Sequence, residues 1–173
     1  VVWDAWRRGK YPTYDPDQHL HLFRGRVIRL GAYGDPAAVP PSVWRGILSV
    51  ASGWTGYTHA WRDCDPAYRE WCMASCETAT QTRQAWERGW RTYRVHLPGE
   101  DPLAGEFVCP ASAEAGKRLT CQECKACDGA LPGGRHVSPT IAAHGLPWKI
   151  KAYAATVARS EEQDRARGLV SLL

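Results

Sequence analysis

No apolar stretch of roughly eighteen residues occurs anywhere in the chain, which excludes a transmembrane helix. No tandem repeat or low-complexity tract appears, and no cysteine precedes Cys64. A signal peptide is not visible: the chain opens "VVWDAWRRGKYP", charged within four residues and without methionine, which reads as a processed or truncated chain. The basic residues form no block. "WRRGK" and "GKR" are the densest runs, and 22 Lys and Arg against 18 Asp and Glu leave a net charge of only +4. That balance permits contact with nucleic acid, but a solvated surface explains it equally well. A hydrolase using His59 or His144 with Asp35 finds no recognisable nucleophile motif.

What is present begins with a core. The 173 residues suffice for one domain, and 44% hydrophobic with 23% charged residues is ordinary for a globular chain. Nine tryptophans serve packing and strand edges, or stack on a flat substrate if several border a pocket. Short apolar strands are expected at 26–33, in "TGYTHAW", in "WCMAS", in "RTYRVHL" and in "SPTIAAHG". Between them helices are expected at residues 1–8, 15–25, 40–51, 65–71 and 77–90, the last stopping at Gly89, with a final helix and tail over 150–173. Strands alternating with helices imply a mostly parallel sheet, because parallel neighbours need a crossover. Five strands are too few to close an eight-stranded barrel. The expected fold is α/β, a partial (β/α) barrel or open mostly parallel sheet. Residues 1–173 form a single domain, into which a long metal-binding loop, 98–138, is inserted.

That loop holds the strongest signal. Seven cysteines are an odd number, and without a secretion signal a disulfide scaffold is disfavoured; clustered thiols in a reducing cytoplasm more often mean metal. "CPASAEAGKRLTCQECKACDGALPGG" spaces Cys109, Cys121, Cys124 and Cys127 as C-x11-C-x2-C-x2-C. Structural zinc usually takes thiolates as separated C-x2-C pairs. A C-x2-C-x2-C run presents three sulfurs to one point and is typical of [4Fe–4S] ligation, the fourth ligand coming from elsewhere. Cys109, followed by Pro110, fills that fourth place. Iron–sulfur is thus the first expectation and zinc the alternative. Gly129, Gly133 and Gly134 let the backbone fold closely around the centre. Cys64, Cys72 and Cys76 could supply ligands of a second site, but the strand position of the last two suits buried structural thiols.

"GAYGDP" ends the first strand. A turn of small residues there brings backbone close to a ligand, and Asp35 can accept from a ribose or an amine, although Gly-Asp-Pro is also a common turn. Ligands of α/β folds bind beyond the carboxyl ends of the strands. His59, Ser75 and His144 sit at those ends, and Arg94 would project inward from mid-strand. Each also has a plainer reading: the histidines bonding to backbone, Arg94 paired with a carboxylate.

"RLGAYGDPAAVP", "GYTHAW", "MAS", "GWRTYRV" and "CPASAEAG…TCQECKACDG", in that order over residues 1 to about 145, resemble a family of proteins encoded by bacteriophages and plasmids, distantly similar to radical S-adenosylmethionine enzymes. The resemblance implies a partial (β/α) barrel in a host cytoplasm, with Gly34, Asp35 and Pro36 at the S-adenosylmethionine amine and the later cysteine loop as an auxiliary cluster. The chain departs from the pattern in one respect. Reductive cleavage of S-adenosylmethionine needs a three-cysteine cluster near the N-terminus, and no cysteine stands there in this sequence. Two functions therefore compete: an iron–sulfur protein acting on a small molecule or nucleotide at the strand ends, and a non-enzymatic, zinc-stapled module binding a host protein or nucleic acid.

Overall fold

The computed structural model describes residues 2–116, 119–130, 133 and 137–167. Its centre is an open sheet of six strands, β1 (Val27–Leu30), β2 (Gly53–Thr58), β3 (Met73–Cys76), β4 (Thr92–His96), β5 (Glu106–Val108) and β6 (Ser138–Ala142). Their spatial order is β1-β2-β3-β4-β6-β5, and every neighbouring pair is parallel. The expected α/β fold with an open parallel sheet is what forms. The sixth strand, β5, lies inside the segment read from sequence as loop. Only three residues long, it gives no periodic signal, and it forms the outer edge by pairing Glu106 with Ser138.

The helices are α1 (Val2–Arg7), α2 (Pro16–His19), α3 (Pro41–Val50), α4 (Ala79–Glu87), α5 (Cys121–Cys124) and α6 (Pro147–Ala166). Local chemistry fixes their ends. Pro41 and Pro147 stand in the first turns of α3 and α6, where a missing N–H costs nothing. Thr78 caps α4 by accepting from the Gln81 N–H, and Thr120 and Glu123 make a reciprocal capping box on α5. The single helix expected over 15–25 is instead α2 followed by a 3-10 turn over Leu20–Phe23. The first strand stops at Leu30 rather than continuing to 33. Gly31 takes a φ of 70°, and a Cβ there would lie 2.5 Å from Pro36 Cδ.

One face of the sheet packs against helices. Leu30, Ala74 and Cys76 project from the strands into a core with Leu48 of α3, Ala85 of α4, and Trp61, Tyr68, Trp71 and Trp90. Alternation then governs the other face. Along β4 the residues Thr92, Arg94 and His96 are buried while Tyr93 and Val95 are only half-covered. All-parallel sheets are normally buried on both sides. Here the second side carries the cysteine loop over the early part of the strands and is bare toward their carboxyl ends. That bare area is where the fold leaves room for a ligand. Among the described residues, no helix is long and apolar enough to cross a membrane.

Candidate functional site

The cysteine loop is tied down by an arginine the sequence reading did not single out. Arg91 immediately precedes β4 and is 3% exposed. Its Nη1 donates to Asp128 Oδ1 and to Gly129 O, both at 2.8 Å; its Nη2 donates to Ala126 O at 2.7 Å and its Nε to Val137 O at 3.0 Å. Further bonds fix the same segment. The Gly56 N–H of β2 donates to Cys127 O, Trp54 Nε1 donates to Asp128 O and the Ala130 N–H donates to Arg69 O. Gly129 is pressed so closely on the chain that a Cβ would stand 2.4 Å from Glu70 O, at a φ of 86°. Gly133, by contrast, has open space around it, and Gly134 lies outside the described residues.

So held, the four thiols of the motif meet. Cys109, Cys121, Cys124 and Cys127 line one cavity of about 200 Å³, walled by Thr55, Tyr57, Tyr93 and Ile141 of the sheet. All four are free thiols; Cys109 and Cys127 are buried, Cys124 half-buried and Cys121 exposed. The Tyr57 hydroxyl hydrogen-bonds Cys127 and the Tyr93 hydroxyl hydrogen-bonds Cys109. Burial first, and then the neighbouring thiols, push both phenols above their ordinary range, so they remain protonated donors toward sulfur. Burial also raises the Cys127 thiol to about 12; the Tyr57 bond works against that rise and the nearby thiols add to it. In the turn after Cys109, the buried Ser112 Oγ has no hydrogen-bond partner among the described residues.

In chemistry the donor set suits a thiolate-bound metal centre: four thiols line one cavity beside two tyrosines, in a loop held by Arg91 and the sheet. Among the described residues, no group of three or more His, Cys, Asp or Glu side chains is arranged to hold a metal ion.

Next to the thiols, the bare part of the sheet forms a cavity of about 580 Å³, lined by Arg29, Gly34, Asp35, Tyr57, His59 and Ser75, with Cys121 and Tyr93 in the shared wall. The Tyr57 and Tyr93 rings pack edge to face at 4.9 Å, and the Arg29 guanidinium lies 5.9 Å from the Tyr57 centroid. Three of the strand-end residues expected at a pocket thus come together: Asp35, His59 and Ser75. His59 Nε2 and Ser75 Oγ are 3.1 Å apart. Asp35 acts as a latch. Its Oδ1 accepts from Thr58 Oγ1 at 2.7 Å and from the Ala37 N–H at 2.9 Å, and its Oδ2 accepts from the His59 N–H at 2.8 Å. Burial opposes its ionisation, but these bonds outweigh burial and hold its pKa below the usual carboxylate value. Pro36 is buried in the turn, where its carbonyl accepts from Trp44 Nε1.

Two of the sequence candidates lie elsewhere. His144 lines a neighbouring cavity of about 390 Å³, beyond Tyr93 and Val95 and against α6. Arg94 does not face the pocket; alternation turns it to the opposite side from Tyr93 and Val95, where it is 1% exposed. There it grips Glu106 with Nε and Nη2, the shortest bond 2.8 Å, and Glu100 with Nη1 at 3.0 Å. Its plainer reading, pairing with a carboxylate, is the one the structure bears out. Cys72 and Cys76 are likewise core thiols, 0% and 1% exposed. Tyr57, Tyr93 and Arg29 were missed by the sequence reading, although the period of two in "GYTHAW" and "RTYRVHL" placed both tyrosines on one face. Comparison of the chain with protein-family models, curated proteins and solved structures finds no match.

Proposed function

We propose that this protein holds a [4Fe–4S] cluster on Cys109, Cys121, Cys124 and Cys127 and acts on a small molecule or nucleotide bound beside it, at the carboxyl ends of the strands. The observation that carries the reading is the meeting of all four thiols in one cavity that shares Cys121, Tyr57 and Tyr93 with the larger one. The C-x2-C-x2-C spacing, with Cys109 as the fourth thiol, favours iron–sulfur over the zinc alternative. When bound, the cluster supplies one-electron chemistry. The chain's own residues would do the rest: Tyr57 and Tyr93 would donate hydrogen bonds to the Cys127 and Cys109 sulfurs and exclude water from them, and Asp35 fixes the backbone that presents His59. His59 and Ser75 offer the ligand a polar edge, and Arg29 offers a cation for an anionic group.

Anaerobic reconstitution with iron and sulfide tests the metal half of this proposal. The reading expects a brown protein with equal iron and sulfide, and a colourless zinc protein refutes it. Calorimetric titration with S-adenosylmethionine, using Asp35→Ala as control, tests whether the Gly34–Pro36 turn serves that cofactor. Binding lost in the variant supports the assignment, whereas binding absent from the wild-type chain removes the cofactor and leaves the cluster standing.

A further inference from the structure

The four thiols differ in a way the cysteine spacing conceals. Cys109 and Cys127 are 8% and 6% exposed. Each is fastened to the sheet through its backbone: the Cys109 N–H donates to Thr140 O at 2.8 Å, and Cys127 O accepts from the Gly56 N–H at 3.0 Å. Each also receives a tyrosine hydroxyl. Cys124 is half-buried and lines only the thiol cavity. Cys121 is exposed and belongs to both cavities. Its own turn, α5, which it shares with Cys124, carries the Thr120–Glu123 capping box and packs against β2. Of the four, Cys121 alone stands between the thiols and the 580 Å³ cavity.

Resting on the cluster reading above, we infer that Cys109, Cys124 and Cys127 hold the centre, while Cys121 is its replaceable fourth ligand, at the position a molecule in the large cavity can take. The ligand class is a small molecule with a thiolate, imidazole-like nitrogen or carboxylate donor. Such a group can stand in for a departing thiolate, and Arg29 and the His59–Ser75 pair offer it polar contacts on the way in. The exchange is a substitution at the metal without change of oxidation state. The Cys121 sulfur leaves as thiolate and takes a proton from solvent or from the incoming donor.

The test reconstitutes the full chain anaerobically as wild type, Cys121→Ala, Cys121→Ser, Cys124→Ala and Cys127→Ala, and counts iron and sulfide. Both Cys121 variants are expected to retain most of the wild-type content, while Cys124→Ala and Cys127→Ala lose it at least fivefold. A second readout uses imidazole as the probe. It should change the electron paramagnetic resonance spectrum of reduced Cys121→Ala and leave that of the wild type nearly unchanged at the same concentration. Iron loss in the Cys121 variants as severe as in Cys127→Ala, with the fold intact by circular dichroism, overturns the inference while the cluster stands. The same holds for a Cys121→Ala spectrum indifferent to imidazole. A wild-type chain that takes up no iron and sulfide overturns both readings together.

Discussion

Replacing Arg91 by methionine should release the cysteine loop without touching a thiol. The side chain makes four hydrogen bonds, to Ala126 O, Asp128 Oδ1, Gly129 O and Val137 O, all from a site 3% exposed. Adding about 1.5–3 kcal/mol for each charged bond overstates the cost, because the freed carbonyls regain water. Breaking a buried ion pair by removing one partner costs about 3–5 kcal/mol. The Asp128 side chain is 37% exposed, so solvent offsets part of its lost partner and the lower end applies. A loss of about 3 kcal/mol should lower the melting temperature of a chain this size by roughly 6–12 °C. Thermal unfolding of the metal-free chain followed by circular dichroism measures it. Arg91→Lys, which keeps the charge near Asp128 but not the fork, should fall between. If Arg91→Met melts within about 2 °C of wild type, and the loop is no more open to protease, Arg91 is not what positions the thiols.

Glu106→Gln should strand the Arg94 guanidinium, whose other carboxylate, Glu100, is 47% exposed, and cost about 3 kcal/mol in denaturant unfolding; the double variant Arg94→Met with Glu106→Leu should recover most of that. Cys72 and Cys76 are held as neutral thiols by burial, with pKa values raised from 9.0 to about 12. Their contribution is whole below the unfolded value and is lost as pH rises from about 9 to 12. Stability of the metal-free chain should therefore fall across that window, by up to about 1.4 kcal/mol per unit for each thiol, and the fall should be shallower in Cys76→Ala. Gly129→Ala places a methyl where Glu70 O stands and forces a positive φ on alanine, so it should disrupt the loop and reduce metal uptake, measured as iron retained after desalting.

The alternation of short strands with helices was enough to read the parallel sheet: α3 starts at Pro41 and buries Ile47 and Leu48 on one side, and α4 is capped by Thr78. β5 escaped because three residues in a glycine- and proline-bounded stretch have no period to detect; it joins the sheet by pairing with β6, and its Glu106 reaches Arg94. The cysteine spacing singled out four thiols that line one cavity, yet did not show what holds their loop. Arg91 lies in the same "RTYRVHL" as Arg94; the period of two puts them on opposite faces, but does not show which face carries the loop. Strand-end placement gathered Asp35, His59 and Ser75, which line one cavity. It could not reveal that Asp35 spends its oxygens on Ala37, Thr58 and His59, since that depends on how the turn after β1 folds over β2.

The central claim is most directly tested by native mass spectrometry of the full chain prepared without air. The account predicts the mass of the polypeptide plus one core of four iron and four sulfide, absent from Cys127→Ala. A wild-type mass equal to the bare chain after reconstitution, or to the chain plus a single zinc, contradicts it.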